Sequence, residues 1–238
     1  VFRAEARGQR LYFENAGVAG GNELFKDRET GSRWQQSSLE AISGPLKGQH
    51  LALYPFLPTT WAEWRRLHPD TLVLEPLPGY AERIPEKNEE IRRGLLQEGE
   101  APKGVTYRDA RLTPRTMVLG LQLQGEAEAF PLDALRQVKV VNTVLGGVPI
   151  VVVHQPSSDT TTAFVARAGG RVLTFAPARA DATELFDEQT RSRWTPYGDC
   201  TAGRLKGSKL EPVILEPEYW FAWSEFHQQT KIYTPPRP

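Results

Sequence analysis

The sequence predicts a mainly β (α+β) chain made of two duplicated, small twisted-sheet or partial-barrel units, each with one short Trp-bearing helix. Three observations predict it. First, Thr30–Leu51, "TGSRWQQSSLEAISGPLKGQHL", and Thr190–Leu210, "TRSRWTPYGDCTAGRLKGSKL", nearly repeat each other. Second, all six tryptophans pair off: Trp34, Trp61 and Trp64 match Trp194, Trp220 and Trp223. Third, the offset slides from 162 (Phe2 to Phe164) to 159 (Gly44 to Gly203) in single steps at turn-like places. Indels confined to turns are what two copies of one folded unit should show. Val1–Leu74 and Ala163–Tyr233 are therefore read as the copies.

Within each copy, "RLYFEN" and "RVLTFAP" alternate with period two and read as strands, as does the start of "HLALYPF". "DRETGSRW" reads as a tight turn at Asp27–Gly31 followed by a strand carrying Trp34. "SGPLKGQHL" reads as a Pro/Gly hairpin or loop that leads into the next strand. The period then changes. In "TTWAEWRRLHPD", Thr60 is an N-cap, Trp61, Trp64, Leu67 and His68 share a face, and Pro69 ends the helix. "YWFAWSEFHQQ" repeats it. Each helix is expected to lie across its sheet, with Trp34, Trp61, Trp64, Trp194, Trp220 and Trp223 as structural residues filling the interior.

The domain reading is residues 1–74 for the first unit, 75–115 for a surface linker and 116–238 for the second unit, with lead-in strands over 116–162. The linker is charged and rich in Pro and Gly, with a helical stretch near Asn88–Glu98. "TMVLGLQLQGEAEAFPLDAL" reads as a hairpin turning at Gln124–Gly125, then a helical turn opened by Pro131. "KVVNTVLGGVPIVVVHQPSSDTTTAF" reads as two strands around a Gly-Gly turn, then a loop. The first copy has no such lead-in, so either residues precede Val1 or the middle segment supplies the strand.

Composition excludes several classes. Lys plus Arg and Asp plus Glu both number 29, so the net charge is zero and nothing favours nucleic acid or an anionic membrane. One cysteine, Cys200, rules out an intrachain disulfide and reads as a small buried hydrophobe. The longest apolar run, Val148–Val153, falls far short of the ~20 residues of a membrane span. No transmembrane segment is expected, although a signal or lipid anchor removed from the chain fits the reading.

Candidate chemistry is sparse. "HQPSSD" brings His154, Ser157 and Asp159 into one loop after a buried strand, the weak candidates for a catalytic group. No G-x-S-x-G elbow accompanies them. Lys47 and Lys206 recur in "LKG" turns, and His68 and His227 follow the helix tryptophans; these four are the weak ligand-binding candidates. The histidines sit where a side chain serves the last carbonyls of a helix. Glu126 and Glu128 alternate with Ala and read as a solvent-facing side of a hairpin. No metal-ligand spacing is present, and no metal or cofactor is expected.

The ordered motifs "DRETGSRWQQ", "AISGPLKGQHL", "TTWAEWRRLHPDTLVL" and "VLGLQLQGEAEAFPLDALRQVKVVNTVLGGVPIVVV" resemble the bacterial domain of unknown function 3179. The resemblance covers nearly all the chain except about Glu82–Thr106. It implies a β-rich fold and an exported bacterial protein, and it implies no chemistry. The family carries a Cys-Pro-x-Cys-type segment where this chain reads "HQPSSDTTTAF", with His154 and Ser157 near the cysteine places, so no thiol or soft-metal role carries over. The expected function is a non-catalytic extracytoplasmic accessory or scaffold protein, in the periplasm or at the cell surface, with other protein subunits as partners. The Pro-rich "YTPPRP" tail suits an extended segment lying along a partner. The alternative is a small-molecule-binding protein or hydrolase-like enzyme, its site between the repeats near His154–Asp159.

Overall fold

The computed structural model describes residues 2–236, except Pro55, Pro76, residues 81–82, 87, 90–100 and 102–103. The helix expected near Asn88–Glu98 lies outside the described residues, save Asn88 and Glu89, as does the end of the tail.

In the first unit, β1 (Glu5–Ala6) and β2 (Gln9–Arg10) form a ribbon. A four-stranded antiparallel sheet follows in chain order: β3 (Phe13–Ala19), β4 (Asn22–Asp27), β5 (Arg33–Gln35) and β6 (Ala41–Ser43). Helix α1 (Trp61–Leu67) comes after it. The middle segment supplies β7 (Met117–Leu123), β8 (Glu126–Pro131), α2 (Leu132–Val138), β9 (Val140–Leu145) and β10 (Val148–Gln155). Its two hairpins turn at Gln124–Gly125 and Gly146–Gly147, where all four residues have positive φ, as two-residue loops matched to strand twist require.

Next come β11 (Thr160–Val165), the ribbon β12 (Arg167–Ala168) and β13 (Arg171–Val172), and a second four-stranded sheet: β14 (Phe175–Pro177), β15 (Leu185–Asp187), β16 (Arg193–Trp194) and β17 (Cys200–Ala202). Strands β18 (Glu211–Val213) and β19 (Glu216–Tyr219), helix α3 (Trp220–Phe226) and β20 (Lys231–Ile232) complete the chain. The middle hairpins join these late strands, in the orders β18-β11-β10-β9 and β19-β7-β8-β20. Among the described residues, no sheet closes into a barrel. The middle segment therefore pairs with the second unit and, among the described residues, supplies no strand to the first, whose Phe2 bridges its own Leu53.

Period two explains how β10 serves two cores. Val151 and Val153 pack with Phe175 and Trp194, while Ile150 and Val152 point the other way, among Leu121, Phe130 and Leu145. A strand buried on both faces reads as an unbroken apolar run, which is what "VPIVVV" is. A third core, around Trp34 and Leu11, belongs to the first unit. Cys200 is buried among the Trp194 cluster.

Two of the four-stranded sheets, β3–β6 and β14–β17, share one polar device. Trp34 Nε1–H donates to Asp27 Oδ2 at 2.8 Å, and Trp194 Nε1–H to Asp187 Oδ2 at 2.9 Å. The Thr30 amide donates to Asp27 at 2.6 Å and the Thr190 amide to Asp187 at 2.5 Å. Ser32 Oγ accepts from the Leu46 amide and Ser192 Oγ from the Leu205 amide, both at 3.0 Å. A Cβ on Gly44 would sit 2.6 Å from Ser32 Cα, and one on Gly203 2.7 Å from Ser192 Cα, so glycine is needed for the loop to close on the serine. Burial pushes the Asp27 carboxyl up, but the hydrogen bonds from Trp34 and Thr30 outweigh it and hold the group below its ordinary value.

Candidate functional site

The two tryptophan helices end alike, but only α1 has a side-chain cap at its start. Thr60 Oγ accepts from the Glu63 amide at 3.3 Å and caps α1. The helix stops at His68, whose amide donates to Trp64 O at 2.8 Å; the His227 amide makes the same bond to Trp223 O at 3.0 Å. Trp64 Nε1–H reaches Thr71 Oγ1 at 2.8 Å and Trp223 Nε1–H reaches Thr230 Oγ1 at 3.0 Å. The imidazoles lie over these indoles, with centroids 4.2 Å apart for Trp64–His68 and 3.9 Å for Trp223–His227. The histidine rings thus pack on indoles, whereas helix-end carbonyls were expected to hold them. Burial pushes the His227 imidazole down.

What covers the helices differs. Trp223 sits on β7 so closely that a Cβ on Gly120 would fall 2.1 Å from its Cζ3. Trp220 Nε1–H donates to Asp109 O at 2.9 Å, beneath the Arg111 guanidinium. The carboxylate of Glu225 accepts from the Thr106 and Tyr107 amides at 3.0 and 2.6 Å. Residues 106–111 of the expected surface linker are therefore a strap tied to α3. Among the described residues, α1 has neither strap nor strand. Trp220 is 0% exposed and Trp61 52%, so Trp61 is not an interior residue, contrary to the sequence expectation. The chain after α3 continues into β20, paired with β8, whereas Leu72 and Leu74 after α1 are each 94% exposed.

The inner side of α1 faces a cleft of about 330 Å³, walled by Phe56, Pro58, Trp64 and His68 from the first unit and by Phe164, Tyr197 and Leu215 from the second. Two contacts tie the walls together. Thr59 Oγ1 and Thr160 Oγ1 are 2.6 Å apart. The Tyr197 hydroxyl bonds the Glu63 carboxylate and lies 2.9 Å from Gln155 Oε1. Hydrogen bonds from Arg66 hold Glu63 at a pKa of about 2, against the effect of its burial. Burial, then the Glu63 carboxylate, pushes the Tyr197 phenol up to about 12. The polar end of the cleft is a satisfied ion-pair network, and the rest of it is apolar.

The loop that offered a triad is arranged otherwise. His154 is buried, its Nδ1 3.0 Å from Thr161 Oγ1 and its Nε2 3.5 Å from Asp159 Oδ1. Asp159 is gripped by Arg136 through Nε at 3.0 Å and Nη2 at 2.7 Å, and Arg136 also binds Asp133. Ser157 Oγ accepts from Gln155 Nε2 at 3.2 Å. His154 and Asp159 come together, then, while Ser157 is engaged elsewhere. Burial pushes the His154 imidazole down.

Lys47 and Lys206 are exposed in the two matching turns. Glu128, expected on a solvent side, is buried and bonded to Thr143, and burial pushes its carboxyl up; Glu126 alone is exposed, paired with Lys231 at 2.6 Å. Among the described residues, no group of three His, Cys, Asp or Glu side chains could hold a metal ion, and no helix is long and apolar enough to cross a membrane. The Asp27 and Glu63 networks escaped the sequence reading. The Asp-x-x-Thr-x-Ser-x-Trp spacing common to both copies was a usable signal for the first, and nothing local signalled the second.

No curated protein and no solved structure matches this chain. The family model described as "Protein of unknown function (DUF3179)" matches residues 1–230, and the chain belongs to that family.

Proposed function

We propose that this chain is a non-catalytic accessory or scaffold protein that binds another protein through the open face of α1 and the apolar run after it. The observation that carries the reading is the contrast between matched helices. Trp220 and Trp223 are buried by a strap and a strand, while Trp61 stands 52% exposed, followed by Leu72, Val73 and Leu74 at 94%, 69% and 94%. Exposed apolar residues scattered singly need no explanation, but a run of this kind beside an open indole marks an interaction surface. A partner that supplies a strand edge and an apolar side chain would cover this face as the second unit covers its own helix. The cleft beside Trp64 provides a socket for that side chain.

The family resemblance supports a setting outside the cytoplasm of a bacterium, and fractionation of cells producing the native protein tests it. The neutral net charge suits a protein partner better than a nucleic acid. A hydrolase reading draws no support from the His154 loop, where Ser157 bonds Gln155 and His154 bonds Thr161. The test is the native mass of the protein from its own cells, by size exclusion with light scattering, beside the Trp61→Asp/Leu74→Asp variant. A defined complex that the variant no longer forms is expected. A strictly monomeric native protein that copurifies with nothing overturns the reading.

A further inference from the structure

We propose that the cavity between the strap and α3 binds a small, neutral, lipophilic molecule carrying one hydrogen-bonding oxygen, which Ser224 receives. The cavity measures about 480 Å³ and is walled by Tyr107 of the strap, by Val105 and Leu112 at its two ends, and by Trp220, Phe221 and Ser224 of α3. That size and apolar lining are typical of sites for small organic ligands, which add a few placed polar groups.

The polar groups here are almost all engaged. Asp109 holds Arg111 through its Nε at 2.9 Å and Nη2 at 2.6 Å, and Arg111 Nη1–H donates to Thr230 O at 2.9 Å. The indole N–H of Trp220 is taken by Asp109 O. Arg108, at the rim, is solvent-exposed. One group is left. Ser224 is 1% exposed and its Oγ has no hydrogen-bond partner. A serine inside a helix ordinarily bonds the carbonyl one turn back or points to water, and this one does neither.

A buried hydroxyl without a partner costs about 1–3 kcal/mol, and a ligand oxygen in the cavity removes that cost. A single water fills only about 30 Å³, a small part of this space, and leaves the apolar walls uncovered. With Asp109 and Arg111 neutralising each other, the interior offers no free charge, so a neutral ligand fits best. The site belongs to one unit only. The residue matching Ser224 in α1 is Arg65, which is exposed, and no strap lies over it among the described residues.

The probe is prodan, a neutral naphthalene bearing one ketone, titrated into the intact protein and followed by its emission shift and by energy transfer from tryptophan. Saturable binding is expected. Ser224→Ala should weaken it about five- to tenfold, the worth of one hydrogen bond. Ser224→Met, which fills the cavity from the helix, should abolish it without lowering the melting temperature. Val105→Trp fills the cavity from the end of the strap and serves the same purpose should the methionine variant fold poorly. Val144→Ala, on an exposed side chain of β9, should change nothing. The proposal is overturned by the absence of saturable binding, by equal affinity in Ser224→Ala, by binding that survives both filling variants, or by binding lost in Val144→Ala. None of these results bears on the protein partner of α1, because that surface lies on the other helix.

Discussion

Asp27 and Asp187 show how a single side chain can organise a turn, a strand and a core at once. Each accepts from an indole N–H and from a threonine amide while 0% exposed, so both donors are satisfied in a place water does not reach. Replacing Asp27 with Ala would orphan both. The expected loss is about 3 kcal/mol or more of unfolding free energy, measured by urea denaturation, and Asp187→Ala should behave alike. If either variant unfolds at the wild-type urea midpoint, the aspartate is not what holds the turn. The turn and the strand carrying Trp34 were legible from "DRETGSRW", because glycine, aspartate and alternation are local signals. The bond from Asp27 to Trp34 was not, because nothing in composition says which acidic residue of a turn faces inward. Only the recurrence of the same spacing at Asp187 could have said so.

At the scale of elements, the two helices share their tryptophan spacing and the histidine that ends them, in opposite circumstances. Their existence and length were readable from the tryptophan spacing, and the two ends of α1 from Thr60 and Pro69; α3 has no side-chain cap. Their burial was not, since it depends on strands and a strap that meet α3 from over a hundred positions away in sequence. Two substitutions separate the cases. Gly120→Ala would drive a methyl into the Trp223 ring, and overpacking of that kind costs about 1–3 kcal/mol or more. The melting temperature should fall by several degrees in a thermal scan. Trp61→Asp, on an exposed side chain, should stay within about 0.5 kcal/mol of wild type. A large destabilisation by Trp61→Asp would show that α1 is covered in solution by the protein's own chain, and the accessory reading would lose its chief support.

Across the whole molecule, the first and second units meet at a half-buried carboxyl. Ser37, in the loop after β5, donates to Glu218 on β19, with oxygens 3.0 and 3.2 Å away. Burial pushes the Glu218 pKa up to about 7; the Ser37 hydroxyl opposes the rise and neighbouring Glu216 adds to it. Because the folded value lies above the ordinary 4.5, the folded state binds the proton more tightly than the unfolded chain. The contact therefore contributes its full stability below pH about 4.5, loses it progressively as pH rises to about 7, and contributes no more of it above that. Burial also lowers the imidazoles of His154 and His227, so both make the protein less stable as pH falls below the ordinary 6.5. A single pH profile mixes these opposing slopes, so the informative quantity is the difference between wild type and Glu218→Gln. Glutamine keeps an acceptor for Ser37 and cannot ionise. Relative to wild type, the variant should gain on the order of 2 kcal/mol between pH 5 and pH 8 in urea denaturation. A difference that does not change with pH would mean that Glu218 is ionised at ordinary cost, and that the contact between the two units opens to water around it.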